Sequence, residues 1–273
     1  MSNYNRAADD VRLSLRAARA LCCVLGLSLW IWLVHAWAAD PSTIPAAYSN
    51  WSECQLVSLV YPAHDCATHG IDKEHGAQLL ASMSWGGKDA RQLLVMIETY
   101  EQEGGQRPTY GVTEYSVDLV LFDDVKGTPV VRAVAKALLA HGGHGTLAFD
   151  HAVYSLNDLE RAVAIRHPVM HQGLMTSHLY LVRQEQSSFR MVFNRSMERG
   201  FDMRESAASG EPALVQSILQ VMPRPTSMND FKIVTRHFGW NADDSVDRLN
   251  VLRRTTELWR WDDSGGVYRV LQD

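Results

Sequence analysis

The chain has 273 residues, is 46% hydrophobic and 21% charged, and carries a formal net charge of −5. That length accommodates one large domain or two small ones with a full hydrophobic core, so size alone demands no covalent staples. A mildly acidic balance argues against a nucleic-acid binder, for which a concentrated basic face is the expected footprint.

Arg6, Arg12, Arg16 and Arg19 stand against Asp9 and Asp10 ahead of an uncharged apolar run from Ala20 to Ala39. A basic leader before an apolar core that closes on Ala36-Trp37-Ala38 has the pattern of an export signal, with small residues at the two positions a signal peptidase reads. Residues 1–38 are therefore expected to be a signal peptide cleaved after Ala38, giving a periplasmic or secreted product. The alternative is an uncleaved signal anchor, because ~20 apolar residues just span a bilayer. Either way the rest of the chain lies outside the cytoplasm, and membrane contact is expected only through this N-terminal segment. Cys22 and Cys23 lie within the run, which leaves Cys54 and Cys66. In an oxidising compartment these two are expected to form a disulfide, worth ~3 kcal/mol in the chain-entropy account. Two buried thiols are the alternative.

Residues 39–108 read as an N-terminal segment around that disulfide loop, and residues 109–273 as a β-rich domain packed with it. Asp40 to Ser52 is rich in Pro, Ser, Thr and Ala and reads as an extended lead. Cys54 to Tyr61 is a short apolar run that suits a buried strand, and His64 to His75 reads as a polar loop. From Asp89, the spacing of Leu93, Leu94, Ile97 and Tyr100 up to Gly104 predicts a helix, although Arg91 to Tyr100 also satisfies a strand template. Tyr115 to Phe122 alternates as a strand and ends in a turn at Asp123, Asp124 and Gly127.

Thr128-Pro129 followed by Val130, Val134 and Leu138 predicts a second helix, with Pro at its first position. Thr146 to Tyr154, Arg161 to Arg166, Ser177 to Arg183 and Phe189 to Phe193 are β-compatible runs spaced as an antiparallel meander, separated by Asn157-Asp158, Gln172-Gly173 and Gln186-Ser187. Pro212 with Leu214, Val215, Ile218 and Leu219 predicts one more helix, stopped by Pro223 and Pro225. Phe231 to Phe238 and Arg248 to Thr256 are further β runs. A hairpin then sets Glu257 to Trp261 against Val267 to Leu271, with Trp259, Trp261, Tyr268 and Val270 available for cross-strand packing. The expected class is β-rich α+β, with antiparallel sheets, a C-terminal meander and hairpin, and two or three short helices behind the export segment.

Three constellations bear on chemistry. Pro62-Ala63-His64-Asp65-Cys66 resembles the histidine motif of the chymotrypsin family, and Asp263-Ser264-Gly265-Gly266 resembles its serine motif. Asp65 intervenes between histidine and cysteine, however, and a glycine is missing before Asp263, so a hairpin turn accounts for the second motif. His64, His69 and His75 share one loop with Cys66, while His141 and His144 flank two glycines, and His167, His171 and His178 surround a strand start. Imidazoles of this kind can hold zinc or copper, yet no pair has a closed ligand spacing. Asn241, Asp243, Asp244 and Asp247, like Asp123 and Asp124, offer hard oxygen ligands for calcium without the EF-hand order. Gly-x-Ser-x-Gly, a P-loop and Gly-x-Gly-x-x-Gly are absent.

Without a catalytic or cofactor motif, the expectation is an exported non-enzymatic binding protein of the inhibitor or immunity type. Its partner would be a protein or a cell-envelope component rather than nucleic acid, and no cofactor is implied. Trp51, Trp85, Trp240, Trp259 and Trp261 are available as aromatic anchors or as core. The alternative is a metal-dependent hydrolase that uses a zinc ion on the histidines His64, His69, His75, His141 and His144.

Overall fold

A computed structural model describes residues 46–85, 91–102, 115–141, 150–171, 174–200, 212–240 and 249–271, which fall within the unit Pro41–Asp273. Residues 1–38, expected to be an export segment, lie outside the described residues. Strands β1 (His75–Trp85), β2 (Gln92–Glu101), β3 (Tyr115–Val125) and β4 (Thr128–His141) form an antiparallel sheet in chain order. Strands β5 (Asp150–Ser155), β6 (Arg161–His171), β7 (Leu174–Glu185), β8 (Ser188–Gly200), β9 (Leu214–Met222), β10 (Asp230–Trp240), β11 (Leu249–Asp262) and β12 (Val267–Val270) form an eight-stranded meander. The chain is thus β-rich, with two antiparallel sheets.

The meander bends where β8 meets β9, because that ladder holds only from Glu198↔Gln216 to Gly200↔Leu214. Beyond the bend, β9–β12 folds back over β5–β8. Phe193 of β8 meets Phe231 edge-on at 5.7 Å, Trp259 at 5.0 Å and Tyr268 at 6.4 Å between ring centroids. Arg190 Nη2 also donates to the Gly265 carbonyl at 2.8 Å, tying β8 to the turn before β12.

Strands β5–β8 are consequently buried on both faces. Val163, Ile165, Val182 and Phe189 pack with Met83, Leu94, Met96, Val117, Leu119 and Leu121 of the first sheet. Ala162, Ala164, Leu179 and Leu181 pack with Phe231, Ile233 and Tyr268 of the folded-back part. The far side of the first sheet places Leu93, Val95, Ile97, Val120 and Phe122 under Tyr48 and helix α1 (Glu53–Val60). Each large apolar side chain so enclosed contributes roughly 1.5–3 kcal/mol. The Tyr48 hydroxyl donates to the carbonyls of Arg91 and Phe122, at 2.8 and 3.0 Å, and burial raises its pKa.

Three segments expected as helices are strands. Residues from Asp89 to Gly104 contain β2, Thr128–His141 is β4, and the run after Pro212 is β9. In β2, Leu93 to Ile97 are all buried, so an unbroken apolar run satisfies helical and extended periods alike. In β4 and β9 the branched Val130, Val131, Val134, Val215, Ile218 and Val221 favour the pleated surface. Pro129 is tolerated because β4 edges its sheet.

The opposite correction applies to Cys54 to Tyr61, expected as a strand. Cys54 to Val60 lie in α1 with Tyr61 as its C-cap, and the helix is started by a capping box in which Ser52 Oγ accepts from the Gln55 N–H at 3.2 Å and Gln55 Oε1 accepts from the Ser52 N–H at 2.9 Å. The β3–β4 turn falls at Lys126-Gly127, both with positive φ as a two-residue hairpin turn requires. Asp124 Oδ1 accepts from the Gly127 N–H at 2.7 Å. At the C-terminus Trp259 faces Val270 and Trp261 faces Tyr268, so the aromatic side chains share the face turned to the core.

Candidate functional site

Cys54 sits in the first turn of α1, and the loop after the helix returns Cys66 to it at disulfide distance, with Cα atoms 5.5 Å apart. His64 lies under this bridge and is only 8% exposed. Its Nε2 stands 3.0 Å from the Ala77 carbonyl, an acceptor, so that nitrogen carries the hydrogen and Nδ1 presents its lone pair to Cys54 Sγ, 3.7 Å away. The loop is set by Asp65, whose carboxylate accepts from the Ala67 N–H and the Thr68 hydroxyl, each at 2.9 Å. These bonds hold the Asp65 carboxyl below the usual range, the Ala67 N–H contributing most.

Of the expected histidine ligands, His64, His69 and His75 each have local partners. The His69 ring lies 5.9 Å from that of His64. His75 is exposed and its Nδ1 bonds Asp72 at 3.0 Å. The Glu74 N–H, then His75, hold the Asp72 carboxyl low. Among the described residues, the metal-ligating set whose atoms lie within 4.8 Å of one another is Cys54, His64 and Cys66. His141 ends β4, and His144 lies outside the described residues. His167 and His178 face each other across β6 and β7, with both rings near Tyr180, at 6.4 and 6.0 Å. Of the acidic candidates, Asp123 binds Gln92 and Arg132, and Asp124 closes its turn; Asn241, Asp243, Asp244 and Asp247 lie outside the described residues.

Ser264 is occupied by its own turn, its N–H and hydroxyl both donating to Asp262 Oδ1 at 3.1 and 2.6 Å. A buried carboxylate, Asp118, also has structural work: it accepts from the Tyr61 hydroxyl and from the N–H of Ala137, which has φ +49 at the β3–β4 bulge. Trp51, Trp85, Trp259 and Trp261 pack in or against the three core clusters, so these four tryptophans serve the core.

Sequence reasoning missed the outer face of β9–β12. Ladder register puts Gln216, Arg236 and Arg254 in one row, Ile218, Val234 and Thr256 in the next, and Gln220, Lys232 and Leu258 in a third. All point away from Phe231 and Ile233, whose side chains enter the core on the alternate face. Arg236 and Arg254 are therefore direct cross-strand partners, both exposed. On the same sheet Asp230 is taken by Arg260 at 3.0 Å and Arg224 at 3.5 Å, and Asp262 by Arg269 at 2.8 Å. Lys232, Arg236 and Arg254 make no ion pair with another described residue. Ile218, Met222 and Val251 are 49%, 44% and 54% exposed around them. The signal was legible as basic residues at alternate positions, Lys232 with Arg236 and Arg254 with Arg260. Comparisons with family models, with characterised proteins and with solved structures find no match to this chain.

Proposed function

We propose that this chain is an exported, non-enzymatic binding protein whose outer β9–β12 face meets an anionic lipid surface of the cell envelope. The observation that carries the reading is Arg236 directly opposite Arg254, with Lys232 on the same face. Like charges across an antiparallel pair destabilise a sheet by roughly 0.2–1 kcal/mol, and anionic headgroups turn that cost into attraction. A cation close to an anionic membrane contributes about 1 kcal/mol, so the three together favour binding by about a hundredfold. Ile218, Met222 and Val251 add apolar contact between the charges. The arginine-led apolar run and Ala36-Trp37-Ala38 support delivery to that compartment. This surface adds a membrane contact to the one expected from the N-terminal segment.

Co-sedimentation of the exported chain with phosphatidylglycerol vesicles, against phosphatidylcholine vesicles, tests the reading. Selective retention by phosphatidylglycerol is expected, weakened by salt and about thirtyfold weaker for the Arg236→Gln, Arg254→Gln pair. Equal retention by both lipids, or a double variant that binds like the parent, would overturn it.

A further inference from the structure

We propose that Cys54, Cys66 and His64 form a zinc site that opens when their disulfide is reduced. The proposal is independent of the outer-face reading and rests on three observations. First, these three residues place their ligand atoms within 4.8 Å of one another. Secondly, His64 presents Nδ1 to Cys54 Sγ at 3.7 Å. With Zn–N of about 2.0–2.1 Å and Zn–S of about 2.3 Å, a tetrahedral N–Zn–S edge is ~3.6 Å, so imidazole and sulfur already stand at the separation of two ligands on one ion. Thirdly, His64 Nε2–H donates to the Ala77 carbonyl at 3.0 Å, which fixes the tautomer and aims the ring, as backbone carbonyls behind metal-bound histidines do.

In the disulfide the sulfurs share their bonding pair and offer no thiolate. A dithiol reductant supplies two electrons and two protons, becoming a cyclic disulfide and leaving Cys54 and Cys66 as thiols. Zinc then displaces both thiol protons and binds two thiolates and Nδ1. Breaking the bond requires the sulfurs to separate from ~2 Å to nearly 4 Å. Cys66 can supply that movement, since it is exposed in a turn while Cys54 is fixed in α1. Its exposure leaves the fourth position to water. Oxidation and metal binding thus compete for the same two sulfurs, and the loop closed around His64 is held in either state.

The test uses the full chain reduced with a phosphine, which takes its oxygen from water, then freed of reductant and titrated anaerobically with Co²⁺. The reduced chain should bind one equivalent with thiolate-to-cobalt charge-transfer bands and tetrahedral d–d bands, and Zn²⁺ should displace it. The oxidised chain should show neither band. His64→Ala and, separately, Cys66→Ser should each weaken Co²⁺ binding at least about tenfold in the reduced chain. Circular dichroism checks that each variant stays folded, and Cys66→Ser, altered at an exposed position, tests the site even where His64→Ala unfolds. Absence of the charge-transfer bands after reduction, or Cys66→Ser and a folded His64→Ala that both bind like the parent, would overturn the site.

Discussion

In the sequence His64 opens a polar loop and His167 stands near a strand start, and both are buried in the fold, at 8% and 5% exposure. What separates them is the partner. His64 has a carbonyl on one nitrogen and a sulfur on the other, whereas His167 lies opposite His178 between β6 and β7. Burial first, and the charge of His178 second, hold the His167 pKa below its ordinary value of 6.5. The unfolded chain therefore takes up this proton more readily. His167 contributes stability that is present above pH 6.5 and is lost as pH falls through the depressed folded-state pKa. Thermal melts taken from about pH 7 down to about pH 5 should lose Tm less steeply in His167→Gln than in the parent. Parallel slopes would contradict this assignment.

Elements whose burial or polarity alternates were the legible ones. Along β7 the burial alternates from Ser177 to Leu181, and the C-terminal hairpin alternates Trp259 and Trp261 with Arg260, so a period of two identified both. Strand β2, whose run from Leu93 to Ile97 is buried throughout, keeps no such period and passed for a helix. Helix α1 was missed for the reverse reason: its eight residues are too few to display a helical stripe, and Val57 and Val60 suit a strand. Its real signature was the Ser52 and Gln55 pair. Ser52→Ala should cost about 1 kcal/mol in urea unfolding, and an unchanged midpoint would remove the capping box from the account. In the hairpin, Trp261→Ala should cost ~3 kcal/mol, the low end for a core tryptophan because the ring is half-buried. Ser264→Ala, confined to an exposed turn, should stay within about 0.5 kcal/mol. Equal losses in the two variants would sink this division of roles. The candidate site was legible only as separate basic residues, since bringing Arg236 opposite Arg254 depends on the β10–β11 register and on the bulge at His237 and Phe238.

Among the described residues, three β layers and helix α1 enclose the apolar side chains of the first two layers, while the third turns a basic, apolar-studded face outward in a chain of net acidic charge. The proposed export would bring that face to the envelope, and N-terminal sequencing of the exported chain should then begin at Ala39. An intact N-terminus in the membrane fraction would establish the anchor instead. The opposed arginines are proposed to serve a partner at the expense of the fold, and one variant tests this in two directions. Arg254→Glu replaces repulsion with an ion pair to Arg236, so its unfolding free energy should rise by roughly 0.5–1 kcal/mol. The same change removes one attraction to anionic lipid and adds one repulsion, so its affinity for phosphatidylglycerol vesicles should fall by about thirtyfold. Measured side by side, higher stability with weaker binding is the predicted result; unchanged binding, or binding and stability that fall together, would contradict it.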